Sequence, residues 1–314
     1  MALSDVLNLS QKRKKIGVSE ERITAVLPTV RKHIALWREY PDLFVDFMAG
    51  PESTFKLYFY QRVFLRAAVR HKYMYAVYPR AYSKSFLSVM ALMVRCILFP
   101  RAKLFVTSGG KQQAAGIIEE KVREICQLIP AFDKEIDYGP KKTTFSKDYV
   151  RVVFKNESYF DNIAANEKSR GKRRHAGVLE ECVSIDGDIL SEVILPIMNV
   201  SRTAIDGHKD PEEALSQSQL YITTAGFKNT FPYQKLIQLL VWEIIEPHKS
   251  CVLGGTWRIP VLMGLQPKNF ISEMKRDGTF NDTAFDREYE SKWAGSVENA
   301  FFRADIFDRN RVLL

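Results

Sequence analysis

Pro79-Arg80-Ala81-Tyr82-Ser83-Lys84-Ser85 stands between an apolar run, Tyr73 to Tyr78, and a longer one, Phe86 to Phe99. That order predicts strand, tight loop, helix. Such a loop turns successive backbone N–H groups into a concavity, and the positive end of the next helix adds to the field. Arg80 to Ser85 would then surround a phosphate chain. Lys84 reaches its oxygens, and the Ser85 hydroxyl is suited to ligate Mg²⁺. The usual spelling of such a loop has Gly before the Lys. Here Ser83 stands there, and the loop contains no glycine. Serine serves only if the backbone keeps φ negative or tolerates strain. Alone, the stretch also fits a basic turn that holds no ligand.

Glu180 and Glu181 close a second apolar run, Ala176 to Leu179, 96 residues after Lys84. Adjacent acids at a strand end are costly unless a metal or a cation meets them. In nucleotide hydrolysis the first holds Mg²⁺ through water, and the second polarises the attacking water. Without the loop they would read as two solvated acids.

Gln61 precedes Arg80 by 19 residues. Its amide can donate to and accept from an adenine edge at once. Phe59 and Tyr60 beside it are candidates to stack on the base. The same Gln also fits the surface of a core helix. Lys168 to Arg174 carries five basic residues. Charge that builds on a γ-phosphate is offset by an arginine in cis or in trans. Arg80 is the cis candidate and Arg170 the trans candidate. Lys168, Lys172, Arg173 and Arg174 alternatively grip a nucleic-acid backbone, or simply face water. Thr223-Thr224-Ala225-Gly226 ends a strand with small hydroxyls and a glycine, a segment able to sense the γ-phosphate or merely to turn.

These residues need elements to position them. Residues 1–50 read as helical and peripheral, with a basic cluster Gln11 to Lys15 and helical spacing of Ile23, Val26, Val30, Ile34 and Trp37. Gly50-Pro51 is a break. A helix is expected from Leu57 toward His71. Strands are expected at Tyr73–Tyr78, Lys103–Thr107, Tyr149–Phe154, Ala176–Leu179 and Gln219–Thr224. Helices are expected at Phe86–Phe99, Gln112–Leu128, Asp188–Met198 and Thr230–Ile245, with 131–148 irregular. Strands alternating with helices predict a mostly parallel α/β sheet, and ligands bind at the carboxyl ends of such strands. After Gly254-Gly255 the pattern weakens into a linker or small subdomain.

The 314 residues are 46% hydrophobic, enough for a sizeable core. A formal charge of +9 points to a polyanionic partner. The four cysteines lie far apart without a CxxC pair, so neither a zinc site nor a disulfide framework is indicated. No signal-peptide pattern is visible. The Phe86–Phe99 run is too short to span a bilayer and contains Arg95.

In order, Gln61, Arg80-Ala81-Tyr82-Ser83-Lys84-Ser85, Ser169-Arg170-Gly171, Val178-Leu179-Glu180-Glu181-Cys182 and Thr223-Thr224-Ala225-Gly226 resemble the large terminase subunit of tailed bacteriophages. The resemblance covers roughly Phe55 to the C-terminus. Phe285 to Tyr289 with Gly295 to Phe302 is similar to the family's stretch between motor and nuclease. The resemblance implies a RecA-like P-loop NTPase of the ASCE class that uses ATP and Mg²⁺. It implies Gln61 as the adenine-motif glutamine, Lys84 and Ser85 as the phosphate-loop pair, and Glu180 and Glu181 as metal and water acids. Thr223, Thr224 and Gly226 would be the coupling motif. Ser83 and Glu180 depart from the family's usual Gly and Asp.

Double-stranded DNA, a portal protein and the small terminase subunit are the implied partners. The chain would form a homo-oligomeric ring when assembled, a monomer in isolation, in the host cytoplasm and away from membranes. The family's nuclease domain does not fit in the twelve residues after Phe302, and Asp305 and Asp308 cannot build it. The expected layout is a helical lead 1–54, an ATPase core 55–253, and a linker subdomain 254–314 toward an absent nuclease. Two other classes stay open. A superfamily-two helicase would need a second RecA-like domain from the residues after Gly254. A catalytically dead DNA- or portal-docking scaffold would keep the fold and tolerate Ser83 and Glu180.

Overall fold

The first element of the structure, a computed structural model, is α1 (Glu20–Glu39), followed by α2 (Pro41–Ala49), which Pro41 opens at its first position. The structure describes residues 20–204, 206–276 and 280–295. The cluster Gln11 to Lys15 and the tail from Ser296 through Phe302, Asp305 and Asp308 lie outside the described residues.

The loop from Pro79 to Ser85 has the predicted neighbours. α3 (Phe59–Arg70) leads into β1 (Tyr73–Val77), and α4 (Lys84–Leu98) follows the loop. Next come β2 (Lys103–Thr107), α5 (Lys111–Leu128), α6 (Pro130–Glu135), β3 (Thr144–Phe145), β4 (Val150–Val153), β5 (Tyr159–Asn162) and β6 (Ala176–Glu180). α7 (Gly187–Ile189) continues through a π turn, Leu190–Ile194, into α8 (Leu195–Ile197). β7 (Ser218–Thr223), α9 (Phe231–Ile245) and β8 (Ser250–Gly254) complete the sheet region. Three short helices follow: α10 (Arg258–Leu262), α11 (Phe270–Arg276) and α12 (Asp282–Glu288).

The sheet has eight strands in the order β3-β4-β5-β2-β6-β7-β1-β8. Six are parallel to one another, and near one edge β4 runs antiparallel to both β5 and β3. This is the mostly parallel α/β sheet that the alternation of strands and helices led us to expect. Strands covered on both faces read as continuous apolar runs, and β1 shows why. Met74 and Ala76 enter the core under α3, α4 and α5, while Tyr75 and Val77 enter the core under the π turn and α9. Helix α4 is buried almost all round. It even buries Arg95, whose guanidinium donates to Ser218 Oγ (3.0 Å) and the His71 carbonyl (3.3 Å). Burial pulls that guanidinium down to about 9.

Four local expectations need correction. Residues 131–148, expected to be irregular, contain α6 and β3. Strand β5 was not foreseen, because Tyr159-Phe160-Asp161-Asn162 mixes polar with aromatic residues. Its polar groups are partnered: Asp161 pairs with Arg174, and Asn162 Oδ1 accepts from Val150 N–H at 2.8 Å. Strand β8 was hidden by Gly254-Gly255, which reads as a break yet ends an edge strand. The single helix expected at Asp188–Met198 carries the π turn just before Pro196. Proline has no N–H to donate, and a π turn absorbs the change of register.

Candidate active site

The carboxyl end of β1 opens into a cavity of about 790 Å³. Arg80 to Ser85 form its floor, Glu180 and Glu181 one wall, and Phe55, Tyr58 and Gln61 another. β7 separates β1 from β6, so the loop and the acids come from strands two positions apart.

The loop manages without glycine by accepting strain. Ala81 has φ +59° and Ser83 φ +56°. Such left-handed positions cost a non-glycine residue on the order of 1 kcal/mol each. Glu181 is a third, at φ +50°. The loop is braced from behind. Tyr60, Tyr78 and Tyr82 are buried together, with Tyr82 centroids 4.5 Å from Tyr60 and 4.3 Å from Tyr78. Tyr60 Oη lies 3.4 Å from Ser83 Oγ. A Cβ on Gly255 would fall 2.5 Å from Tyr82 Oη, so only glycine lets that segment cover the ring. Arg80 N–H donates to the Glu288 carbonyl at 2.9 Å, and Arg80 Nε sits 2.8 Å from Glu288 Oε2.

Lys84 Nζ donates to the carbonyls of Pro79 (2.8 Å) and Tyr78 (3.1 Å). Burial pulls its ammonium down to about 8, with Glu180 and Glu288 opposing that shift. Ser85 Oγ donates to Glu180 Oε1 at 2.6 Å. The Ser88 hydroxyl lies 3.0 Å from Glu180 Oε2 and 2.8 Å from the Lys84 carbonyl. Glu180 is 1% exposed. Burial raises its proton affinity, while Ser85, Ser88 and Lys84 work against that. Glu181 is exposed, and its Oε2 accepts from Gln113 Nε2 at 2.8 Å.

Two oxygen donors, Ser85 and Glu180, suit a small hard cation that also takes phosphate and water oxygens. Among the described residues no group of three or more His, Cys, Asp or Glu stands together as a complete metal cage.

No family model matches the chain, and no curated protein matches its sequence. Solved structures do match. The ATPase domain of the Thermus phage P74-26 large terminase is similar over 76% of this chain and 95% of that domain, with a TM-score of 0.54 and 18% identity. The large terminase of bacteriophage HK97 is similar over 81% of this chain and 54% of its own, with a TM-score of 0.57 and 14% identity. A large terminase from a thermophilic bacteriophage, solved in complex with ADP, is similar over 76% of this chain and 54% of its own, with a TM-score of 0.51 and 11% identity. The chain has the fold of the phage large-terminase ATPase domain. It spans about half the length of the HK97 chain and of the ADP-bound one, and nearly all of the P74-26 domain.

Within this terminase ATPase fold, the predicted residues divide. Gln61, Arg80 to Ser85, Glu180 and Glu181 all line the cavity. Gln61 Oε1 accepts from Tyr58 N–H at 2.9 Å, which holds the amide in place. Tyr60 does not line the cavity; it braces the loop, and Tyr58 and Phe55 offer the aromatic faces instead. Phe59 points outward at 75% exposed. Arg170 does not line its own chain's cavity either. It is exposed and paired with Glu167 and with Glu192, the latter at 3.2 Å. Of the basic loop, Lys168 and Arg173 are exposed and Lys172 is half-buried. Arg174 is not free for a nucleic acid, because it pairs with buried Asp161 at 2.5 Å and stacks 5.2 Å from the Tyr159 ring.

Thr223 is fully buried beside the Cys182 thiol, its hydroxyl without an oxygen or nitrogen partner, and Thr224 is half-buried. The Thr223 carbonyl accepts from Tyr78 N–H at 3.0 Å, joining the end of β7 to the loop. A Cβ on Gly226 would meet Val183 at 3.0 Å and Trp293 at 3.3 Å. Gly226 therefore ties β7 to the segment after Glu181 and to Trp293 and Ala294.

Ser88, Gln113 and Glu288 were missed. Ser88 had a signal, the i+3 spacing from Ser85 on one helix face. Gln113 and Glu288 had none, because folding alone brings them near the acids and the loop.

Proposed function

We propose that this chain is an ATP-driven double-stranded DNA translocase, the motor part of a phage large terminase acting in the host cytoplasm. One contact carries the reading: Ser85 Oγ to Glu180 Oε1 at 2.6 Å, inside a cavity that also holds Lys84 and Glu181. A phosphate loop and an acidic strand end that meet this closely are suited to hold a nucleotide triphosphate. The thermophilic-phage terminase solved with ADP supports the same ligand class.

ATP enters with Gln61 at the base and Tyr58 and Phe55 beside it. Lys84 leaves the Tyr78 and Pro79 carbonyls for the β- and γ-phosphate oxygens. Ser85 and Glu180 would hold Mg²⁺, which supplies charge neutralisation across those oxygens when bound. Glu181 orients the attacking water and takes its proton. Arg80 meets the charge that develops on the γ-phosphate. Thr223, Thr224 and Gly226 pass the loss of that phosphate to the C-terminal residues.

Lys168, Lys172 and Arg173 are the proposed DNA contacts. A ring of copies docked on a portal protein, with the small terminase subunit as a further partner and Arg170 acting across subunits, completes the proposal. So does the division into a lead 1–54, a core 55–253 and a linker subdomain 254–314. Among the described residues no helix is long and apolar enough to cross a membrane. One observation favours a scaffold without turnover: Lys84 is tied back to two carbonyls in a strained loop. ATP turnover by the purified chain, lost in Lys84→Ala, separates the two.

A further inference from the structure

Between Lys84 and Arg95 helix α4 is apolar except at Ser85 and Ser88, where it passes Glu180. Ser85 and Ser88 are one turn apart, so their hydroxyls share a face. Ser88 is 1% exposed amid Leu87, Val89 and Met90. A buried hydroxyl there costs stability unless it is hydrogen-bonded. Back-bonding to the Lys84 carbonyl at 2.8 Å would satisfy it. Yet the same oxygen also lies 3.0 Å from Glu180 Oε2. Glu180 carries one more methylene than aspartate and so one more torsion to fix. With Ser85 on Oε1 and the single Ser88 proton shared between Oε2 and the Lys84 carbonyl, both carboxylate oxygens are engaged from one helix.

We propose that Ser88 is a positioning residue for the Glu180 carboxylate, fixing Oε2 so that Oε1 faces Ser85 and the incoming Mg²⁺–phosphate unit. This rests on the nucleotide-hydrolase reading. Ser88 touches neither metal nor nucleotide; it acts through Glu180. A longer acid thereby does the work of a shorter one. Hydrogen bonds to a ligating carboxylate typically change metal affinity about 10- to 100-fold when removed.

The test uses Mn²⁺ as the probe, with a non-hydrolysable ATP analogue and the whole chain. Free Mn²⁺ is read by its paramagnetic resonance signal, so no turnover is needed. Ser88→Ala is expected to raise the Mn²⁺ Kd about tenfold in the analogue complex. Metal-free analogue affinity should stay at the parent value. Ser88→Thr returns a hydroxyl and should regain Mn²⁺ affinity. An alanine variant with the parent Mn²⁺ Kd overturns the proposal and leaves Ser88 with its back-bond alone. So does a threonine variant that keeps the parent Tm yet stays at the alanine level. A parent chain that binds no analogue, with or without Mn²⁺, overturns the nucleotide reading and this one together.

Discussion

Arg80 Nε lies 2.8 Å from Glu288 Oε2, and the backbone N–H of Arg80 donates to the Glu288 carbonyl at 2.9 Å. The cation proposed to meet the γ-phosphate is therefore parked on an acid 208 residues further along the chain. Bound phosphate must compete with Glu288 for it. Removing the acid while keeping its shape should favour the nucleotide. Glu288→Gln is expected to tighten ATP binding up to about fivefold, the scale of a partly exposed ion pair. The backbone bond remains, so Tm should hardly move. Calorimetric titration checks it, and weaker binding in the variant would count against the arrangement.

Lys84 sets a pH dependence. Its ammonium titrates at about 8 without ligand, while a phosphate chain favours the charged form. ATP affinity should therefore fall as pH rises from about 7 to about 9, with proton uptake on binding in the upper half of that window. Titrations in buffers of different ionisation enthalpy read that uptake; flat affinity across the window would contradict it. The sign for stability is opposite. The folded pKa lies below the unfolded Lys value, so in this window the unfolded chain binds more protons and stability rises with pH. Lys84→Met should thus raise Tm at neutral pH while abolishing nucleotide binding.

Arg174 and its neighbours should behave differently when truncated. Arg174→Ala strands Asp161, which is 2% exposed, and should cost about 3 kcal/mol of stability in denaturant unfolding. Lys168→Ala and Arg173→Ala should leave stability alone. Each should lower the salt slope of DNA binding by about 1, uniformly across sequences. An unchanged slope would remove these residues from the DNA surface.

Arg170 is held by Glu167 and Glu192 outside its own cavity. If it serves a neighbouring subunit, mixing Arg170→Ala with Glu181→Gln chains under ring-forming conditions should recover part of the activity that each lacks alone. No recovery in rings shown to contain both variants would assign Arg170 to its own chain or to DNA.

That Gln61, Arg80 to Ser85, Glu180 and Glu181 would meet was legible because most of them stand at strand ends in the sequence. Lys84 and Ser85 follow an apolar strand directly, and Glu180-Glu181 end another. Burial on both faces makes such strands visible as apolar runs. β5 and β8 were invisible for the opposite reason. Asp161 and Asn162 look like loop residues until Arg174 and Val150 partner them, and Gly254-Gly255 looks like a break. Tyr60 was misplaced because sequence gives a helix face but not its neighbour; Tyr82 claims that ring. The aim of Arg170 and the reach of Glu288 depend on contacts across the fold that no local pattern records.

The most direct test of the central claim compares the parent with Glu181→Gln for Mg²⁺-dependent ATP binding and single-turnover hydrolysis. Glu181 is exposed at the cavity wall and its Oε2 is held by Gln113, apart from the Ser85–Glu180 pair. The glutamine variant should bind ATP as tightly as the parent and hydrolyse it at least about a hundredfold more slowly. Parent-rate hydrolysis by Glu181→Gln, or a parent chain that binds ATP without turning it over, would contradict the assignment of this cavity as an ATPase site.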